Sequence, residues 1–140
     1  MKKLVLVLAV IGFITMAATT KASLYNEETG VKNELNIEKY KACIDACNTC
    51  INSCKSCESM CTKEKDAKMA ECEKLCKQCV AACTAAVKAM KADNKNVKAE
   101  CMACAKACEK CATECDKFTS DHCKKCAADC RTAAKLCSEM

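Results

Sequence analysis

From Cys43 onward the chain repeats a small buried-type residue every third or fourth position and fills the intervals with polar residues. In the stretch CIDACNTCINSCKSCESMC, Cys43 to Cys61, the steps run 4, 3, 4, 3, 4. That is the heptad rhythm that usually carries leucine, and it places every repeated position on one helical face. Three further blocks keep the rhythm. They are Cys72, Cys76, Cys79 and Cys83; then Cys101, Cys104, Cys108, Cys111 and Cys115; then Cys123, Cys126, Cys130 and Cys137. The first block comprises Cys43, Cys47, Cys50, Cys54, Cys57 and Cys61. Ala133 occupies a skipped beat in the last block, and Ala86 continues the phase of the second.

The intervening residues are mostly Ala, Lys, Glu, Ser and Thr, and the first three are strong helix formers. Strict alternation is absent, so strands are not expected. The gaps TKEKD (Thr62 to Asp66) and ADNKN (Ala92 to Asn96) are charged and turn-like, and Ser120 and Asp121 offer an N-cap. The pattern predicts four helices at about 38–62, 67–91, 96–118 and 121–139. Short connections make them antiparallel neighbours, so the expected fold is all-α: an up-down four-helix bundle with a cysteine-lined core.

This bundle can be written as layers. One end collects Cys61, Cys72, Cys115 and Cys123, with Met69, Phe118 and His122 nearby. The other collects Tyr40, Ala86, Met90, Val97, Ala133, Cys137 and Met140, and reads as an apolar plug. Ile37, Ile44 and Ile51 repeat every seven residues beside the first cysteine stripe, as the flank of the core or as a dimer seam.

Upstream of the bundle, Lys2 and Lys3 precede an apolar run from Leu4 to about Ala18, which is the layout of a secretory signal peptide. The run is too short for a confident transmembrane helix, which needs roughly 20 residues. Cleavage after Thr20-Lys21-Ala22 leaves residues 23–37 as a polar arm or short helix before the 38–140 bundle. The expected product is exported and has no stable membrane insertion; an uncleaved anchor is the competing reading. Removing Lys2, Lys3 and Lys21 brings the 23 basic residues close to the 18 acidic ones. With no basic block and only two Tyr and two Phe, nucleic-acid binding has no support.

Composition then changes the picture. The 19 cysteines in 140 residues exceed the roughly 8–10% that marks disulfide scaffolds. The number is odd, however, so complete internal pairing is excluded. There is no proline, and only Gly30 among glycines lies beyond the signal segment, whereas loop-rich disulfide proteins need many turn residues. Packing alone does not explain the thiols either. Beyond the signal segment only Leu24, Leu35, Leu75 and Leu136 supply leucine, and cysteine buries less apolar area than leucine would.

Metal binding fits better. Residues at i, i+3 and i, i+4 have Cβ atoms about 5–6 Å apart. Two metal–thiolate bonds of about 2.3 Å span about 4.6 Å when near-linear. Soft thiolates select Cu(I), and shared sulfurs allow a column of ions. Zinc, with four tetrahedral ligands, remains open as a general soft-metal detoxification role. A disulfide-stapled secreted protein remains the structural alternative. Iron–sulfur clusters and redox catalysis fit poorly, since neither an isolated set of four cysteines nor one distinct activated thiol is present.

The export signal, four helices and inward CxxxC/CxxC ladders resemble the bacterial copper storage proteins, a family of Cys-rich four-helix bundles. The resemblance covers about residues 38–140. It implies a non-enzymatic protein that stores many Cu(I) ions through paired thiolates of all nineteen cysteines. It also implies an exported, periplasmic member and assembly into a homo-oligomer. His122 and Met69 are candidate entry ligands at the Cys61 end, because both imidazole and thioether ligate soft metals. Met60 flanks Cys61, while Met90 and Met140 fall in phase at the opposite end.

Overall fold

The computed structural model describes residues 30–32 and 34–140. The signal segment 1–22 lies outside the described residues. Four long helices follow one another: α1, Lys41–Glu64; α2, Ala70–Ala92; α3, Val97–Cys115; and α4, Asp121–Ser138. A single 3-10 turn, Ala67–Met69, precedes α2, and the helical residues 34–39 lead into α1. No strand occurs among the described residues.

The helices pack in sequence, α1 on α2, α2 on α3, α3 on α4, and α4 back on α1. This closes the up-down bundle that the short links dictate. The α1–α2 and α3–α4 links lie at one end, here called upper. The α2–α3 link, the lead-in residues and the C-terminus lie at the lower end.

Local chemistry sets the boundaries. The TKEKD stretch does not open the first turn; α1 runs through Glu64 because Lys and Glu sustain a helix. It stops at Lys65, whose φ of 52° is left-handed. In the same way α2 ends at Asp93, φ 43°, whose N–H bonds back to the carbonyls of Ala89 and Met90. The third helix is shorter than the sequence pattern suggests. After Cys115 the chain tightens: the N–H of Phe118 donates to the Cys115 carbonyl at 3.1 Å, one of the short-range bonds that often close a helix. Ser120 is the N-cap of α4, but its side chain makes no capping bond. Its hydroxyl lies 3.3 Å from Nε2 of His122 instead.

The core follows the cysteine stripes. Every cysteine is buried; only Cys43, 4% exposed, and Cys61, 3% exposed, show any surface. At the lower end Ala86, Met90 and Ala133 are fully enclosed and Val97 nearly so, forming the apolar plug. Met140 is a correction to that plug: it is 37% exposed, because α4 ends at Ser138 and carries the terminal residue past the packed layer. Ile44 lies in the core and Ile51 packs against it, so this part of the isoleucine stripe flanks the bundle interior. Among the described residues no helix is long and apolar enough to cross a membrane.

Candidate metal centre

Four stripes facing one axis bring the sulfurs together in layers. Near the lower end, Cys43 lies 3.4 Å from Cys137, and Cys137 lies 3.5 Å from Cys47. Above them Cys104 approaches Cys83 at 3.3 Å and Cys47 at 3.9 Å. In the middle Cys50 meets Cys79 at 3.6 Å, Cys130 at 3.5 Å and Cys108 at 3.8 Å. Cys54 then meets Cys126 at 3.6 Å and Cys111 at 4.0 Å, and Cys76 meets Cys111 at 3.7 Å. Toward the upper end Cys72 lies 3.5 Å from Cys115 and 3.9 Å from Cys57, which is 3.8 Å from Cys123.

These contacts run across the diagonal of the bundle as well as around it. Cys50 with Cys108 joins α1 to α3, and Cys79 with Cys130 joins α2 to α4 at 3.9 Å. A side chain as short as cysteine lets sulfurs from all four helices meet on the axis. Pairs along one helix also form, such as Cys50 with Cys54 at 3.9 Å and Cys57 with Cys61 at 4.0 Å. The sulfur column therefore runs both along and between helices.

Several quartets have all sulfurs within 4.8 Å of one another. They include Cys50/Cys79/Cys83/Cys108, Cys54/Cys111/Cys126/Cys130 and Cys57/Cys61/Cys72/Cys123. A tetrahedral ion with 2.3 Å bonds needs sulfurs about 3.8 Å apart, and a linear one about 4.6 Å, so distance alone admits both. Sharing separates them. Cys50, Cys54, Cys57, Cys79, Cys126 and Cys130 each belong to at least two quartets. A closed zinc site takes four sulfurs per ion, so zinc could fill overlapping quartets only through bridging thiolates and at few ions per cysteine. Low-coordinate Cu(I) tolerates sulfurs that bridge neighbouring ions. All nineteen cysteines are free thiols.

The protonation pattern follows from crowding. Burial pushes the Cys61 thiol up to about 12. Burial, then the neighbouring charges of Cys43 and Cys104, pushes Cys101 up to about 11. Burial also raises Cys123. Cys43 moves the other way, to about 4, because Cys137 and then Cys47 donate hydrogen bonds to its thiolate. A soft cation entering the column replaces these shared protons, so its uptake releases acid.

The two candidate entry side chains lie at the upper end. Met69 is buried in the 3-10 turn that leads into α2. His122 is half-buried, with Nδ1 3.7 Å from Oε1 of Glu64 and Nε2 against the Ser120 hydroxyl. The residue also borders a groove between α1 and α4 beside Ser53, Ser56 and Lys125. Glu64 was not foreseeable as a neighbour, because it belongs to the far end of another helix. The same holds for Ser53, buried in the α1–α4 seam with its hydroxyl donating to Asp129. Only a polar residue inside the cysteine rhythm hinted at that seam.

The sequence model for "Csp: Copper storage protein" matches residues 36–140. The solved structure of Cu(I)-bound copper storage protein BsCsp3 is 40% identical, with a TM-score of 0.69, covering 71% of this chain and 95% of that one. The apo form of copper storage protein 3 from Bacillus subtilis is 39% identical, with a TM-score of 0.66 and the same coverage. No curated protein sequence matches.

Proposed function

Because the chain belongs to the copper storage protein family, we propose that it stores Cu(I), many ions per molecule, in the sulfur column of its bundle. The observation that carries this reading is the overlap of the sulfur quartets, in which one cysteine serves two neighbouring positions. Each ion takes two or three sulfurs and leaves the rest to its neighbours. The burial that disfavours bare thiolates is offset by the charge of the metal. The family is one of storage proteins, a non-enzymatic role, and no catalytic step is needed to explain the site.

Ions enter at the upper end, where Cys61 is a rim cysteine and His122 and Met69 offer soft ligands ahead of the Cys57/Cys61/Cys72/Cys123 quartet. The N-terminal pattern supports export to the bacterial periplasm, with Ser23 as the first mature residue. Sequencing the N-terminus of protein recovered from cells tests this; a chain beginning at Met1 overturns it. The metal assignment is tested by analysing protein isolated from copper-replete cells and by Cu(I)–Zn(II) competition. Copper in large excess over zinc is expected. Zinc in stoichiometric quartets contradicts the reading.

A further inference from the structure

We propose that the lower end holds a second metal-exchange point, the Cys43–Cys137–Cys47 sulfur cluster, closed by the segment 34–40. The inference rests on the storage reading for its cargo. The closure itself rests on geometry alone.

Each end of the bundle has one cysteine with any exposed surface: Cys61 above and, slightly more exposed, Cys43 below. From Cys43 the sulfurs connect inward without a break. Cys43 touches Cys137, Cys137 touches Cys47, Cys47 touches Cys104, Cys104 touches Cys83 and Cys83 touches Cys108, each at 3.9 Å or less. This path steps around Ala86 and Ala133, the two positions that interrupt the ladder. The apolar plug therefore fills the lower end without cutting the sulfur route through it.

Segment 34–40 runs from the start of α1 to the end of α2, and Tyr40, one helical step before Cys43, packs against the core while its hydroxyl reaches Asp93. Tyr40 is its joint. With φ −110° and ψ 13° it leaves the helical path, although Ile44 N–H still donates to its carbonyl at 2.9 Å. Beyond the joint the segment is pinned by side chains. Asn36, itself buried, donates Nδ2–H to the Lys91 carbonyl at 3.1 Å, capping the end of α2. The Tyr40 hydroxyl donates to Asp93 Oδ1 at 2.5 Å, and Lys39 pairs with the same oxygen at 2.9 Å. Leu35 is 66% exposed and contributes little to the docking. A unit held by a few polar bonds near solvent opens more readily than the bundle beneath it.

Exchange at the opened end needs no oxidant. An incoming small thiol gives its proton to the cysteine thiolate that the ion leaves, and its sulfur takes the ion. Copper stays in the +1 state throughout.

The test uses the reduced, metal-free protein carrying Asn36→Ala and Tyr40→Phe, pulse-alkylated with N-ethylmaleimide and mapped by mass spectrometry. Losing two hydrogen bonds should raise modification of Cys43 about tenfold, with Cys61 as an unchanged control in the same molecule. Unchanged Cys43, or an equal rise at Cys61, overturns the closure. Amide exchange of the unsubstituted protein gives a second readout: residues 34–40 should exchange well ahead of α1. Exchange of both together also overturns it. In a third arm, the Cu(I)-loaded variant should release part of its copper to glutathione faster than the unsubstituted protein. Accelerated alkylation with unchanged release would leave a closure that does not gate metal and overturn the exchange point. Failure of the protein to load copper at all would instead overturn the storage reading.

Discussion

The two ends of the bundle are made by the same four helices and filled in different ways. At the upper end thiols continue to the rim, through Cys72, Cys115 and Cys123 to Cys61, with Met69 and His122 beside them. At the lower end Ala86, Met90, Val97 and Ala133 replace thiols over about one layer, and a short helical segment is pinned to the end of α2. The difference separates two tasks that one cysteine column cannot perform alone. Sulfur without metal buries little apolar area and holds shared protons; an apolar layer holds the helices in register whether or not metal is present. In the proposed reading the lower end provides cohesion that the metal-free protein needs and a closed exchange point, and the upper end provides the open entrance.

Removing Met90 should break this contrast most severely. Met90→Ala opens a cavity in the apolar lower layer, and should cost about 2–5 kcal/mol in the metal-free protein. Denaturant unfolding with and without Cu(I) measures it. Copper-loaded protein should tolerate the change far better, since bound ions stabilise the fold by linkage. A copper-loaded variant that unfolds no later than its metal-free form would show that the metal column is not a second source of cohesion.

A second, smaller effect concerns access. His122→Gln with Met69→Leu keeps volume but removes soft ligands. Stopped-flow uptake should slow several-fold while total capacity stays nearly constant. Unaltered kinetics would move the entrance elsewhere.

Alkaline titration addresses both ends at once. The Cys61 and Cys101 thiols have folded values raised above the ordinary 9.0, to about 12 and about 11. Their contribution to stability is therefore fully present below about pH 9. It is lost as pH rises through 11 at the lower end and 12 at the upper. Metal-free protein should unfold at progressively lower denaturant concentration across that window. Copper-loaded protein, whose thiols are already deprotonated, should not follow this trend; parallel decline of both forms would contradict the assignment.

The smallest change is the most specific. Ala133→Cys restores the skipped beat of α4 near Cys104 and Cys137, and should add about one Cu(I) to the capacity. No gain would mean that the lower layer is excluded from the column by packing rather than by a missing sulfur.

Much of this contrast could be read in the sequence, because helical periodicity forces residues three and four apart onto one face. The cysteine stripes, the interruption at Ala86 and Ala133, and the burial of Met90 all follow from that rule. What periodicity does not specify is how chain ends are finished. The Asn36 bond to the Lys91 carbonyl joins residues 55 positions apart. The placement of Glu64 beside His122 depends on where two helices stop. Met140 kept the phase of its helix but lay beyond its last turn. The early end of α3 at Cys115 likewise depends on tight bonds around Phe118 rather than on any breaker residue.

The central claim is that the nineteen thiols form one shared column for Cu(I). Anaerobic titration of the fully reduced protein with Cu(I), against a competing chelator and with circular dichroism recorded in parallel, tests it most directly. Uptake should continue to between about half and one ion per cysteine with helicity unchanged. Saturation at one or two ions would contradict it.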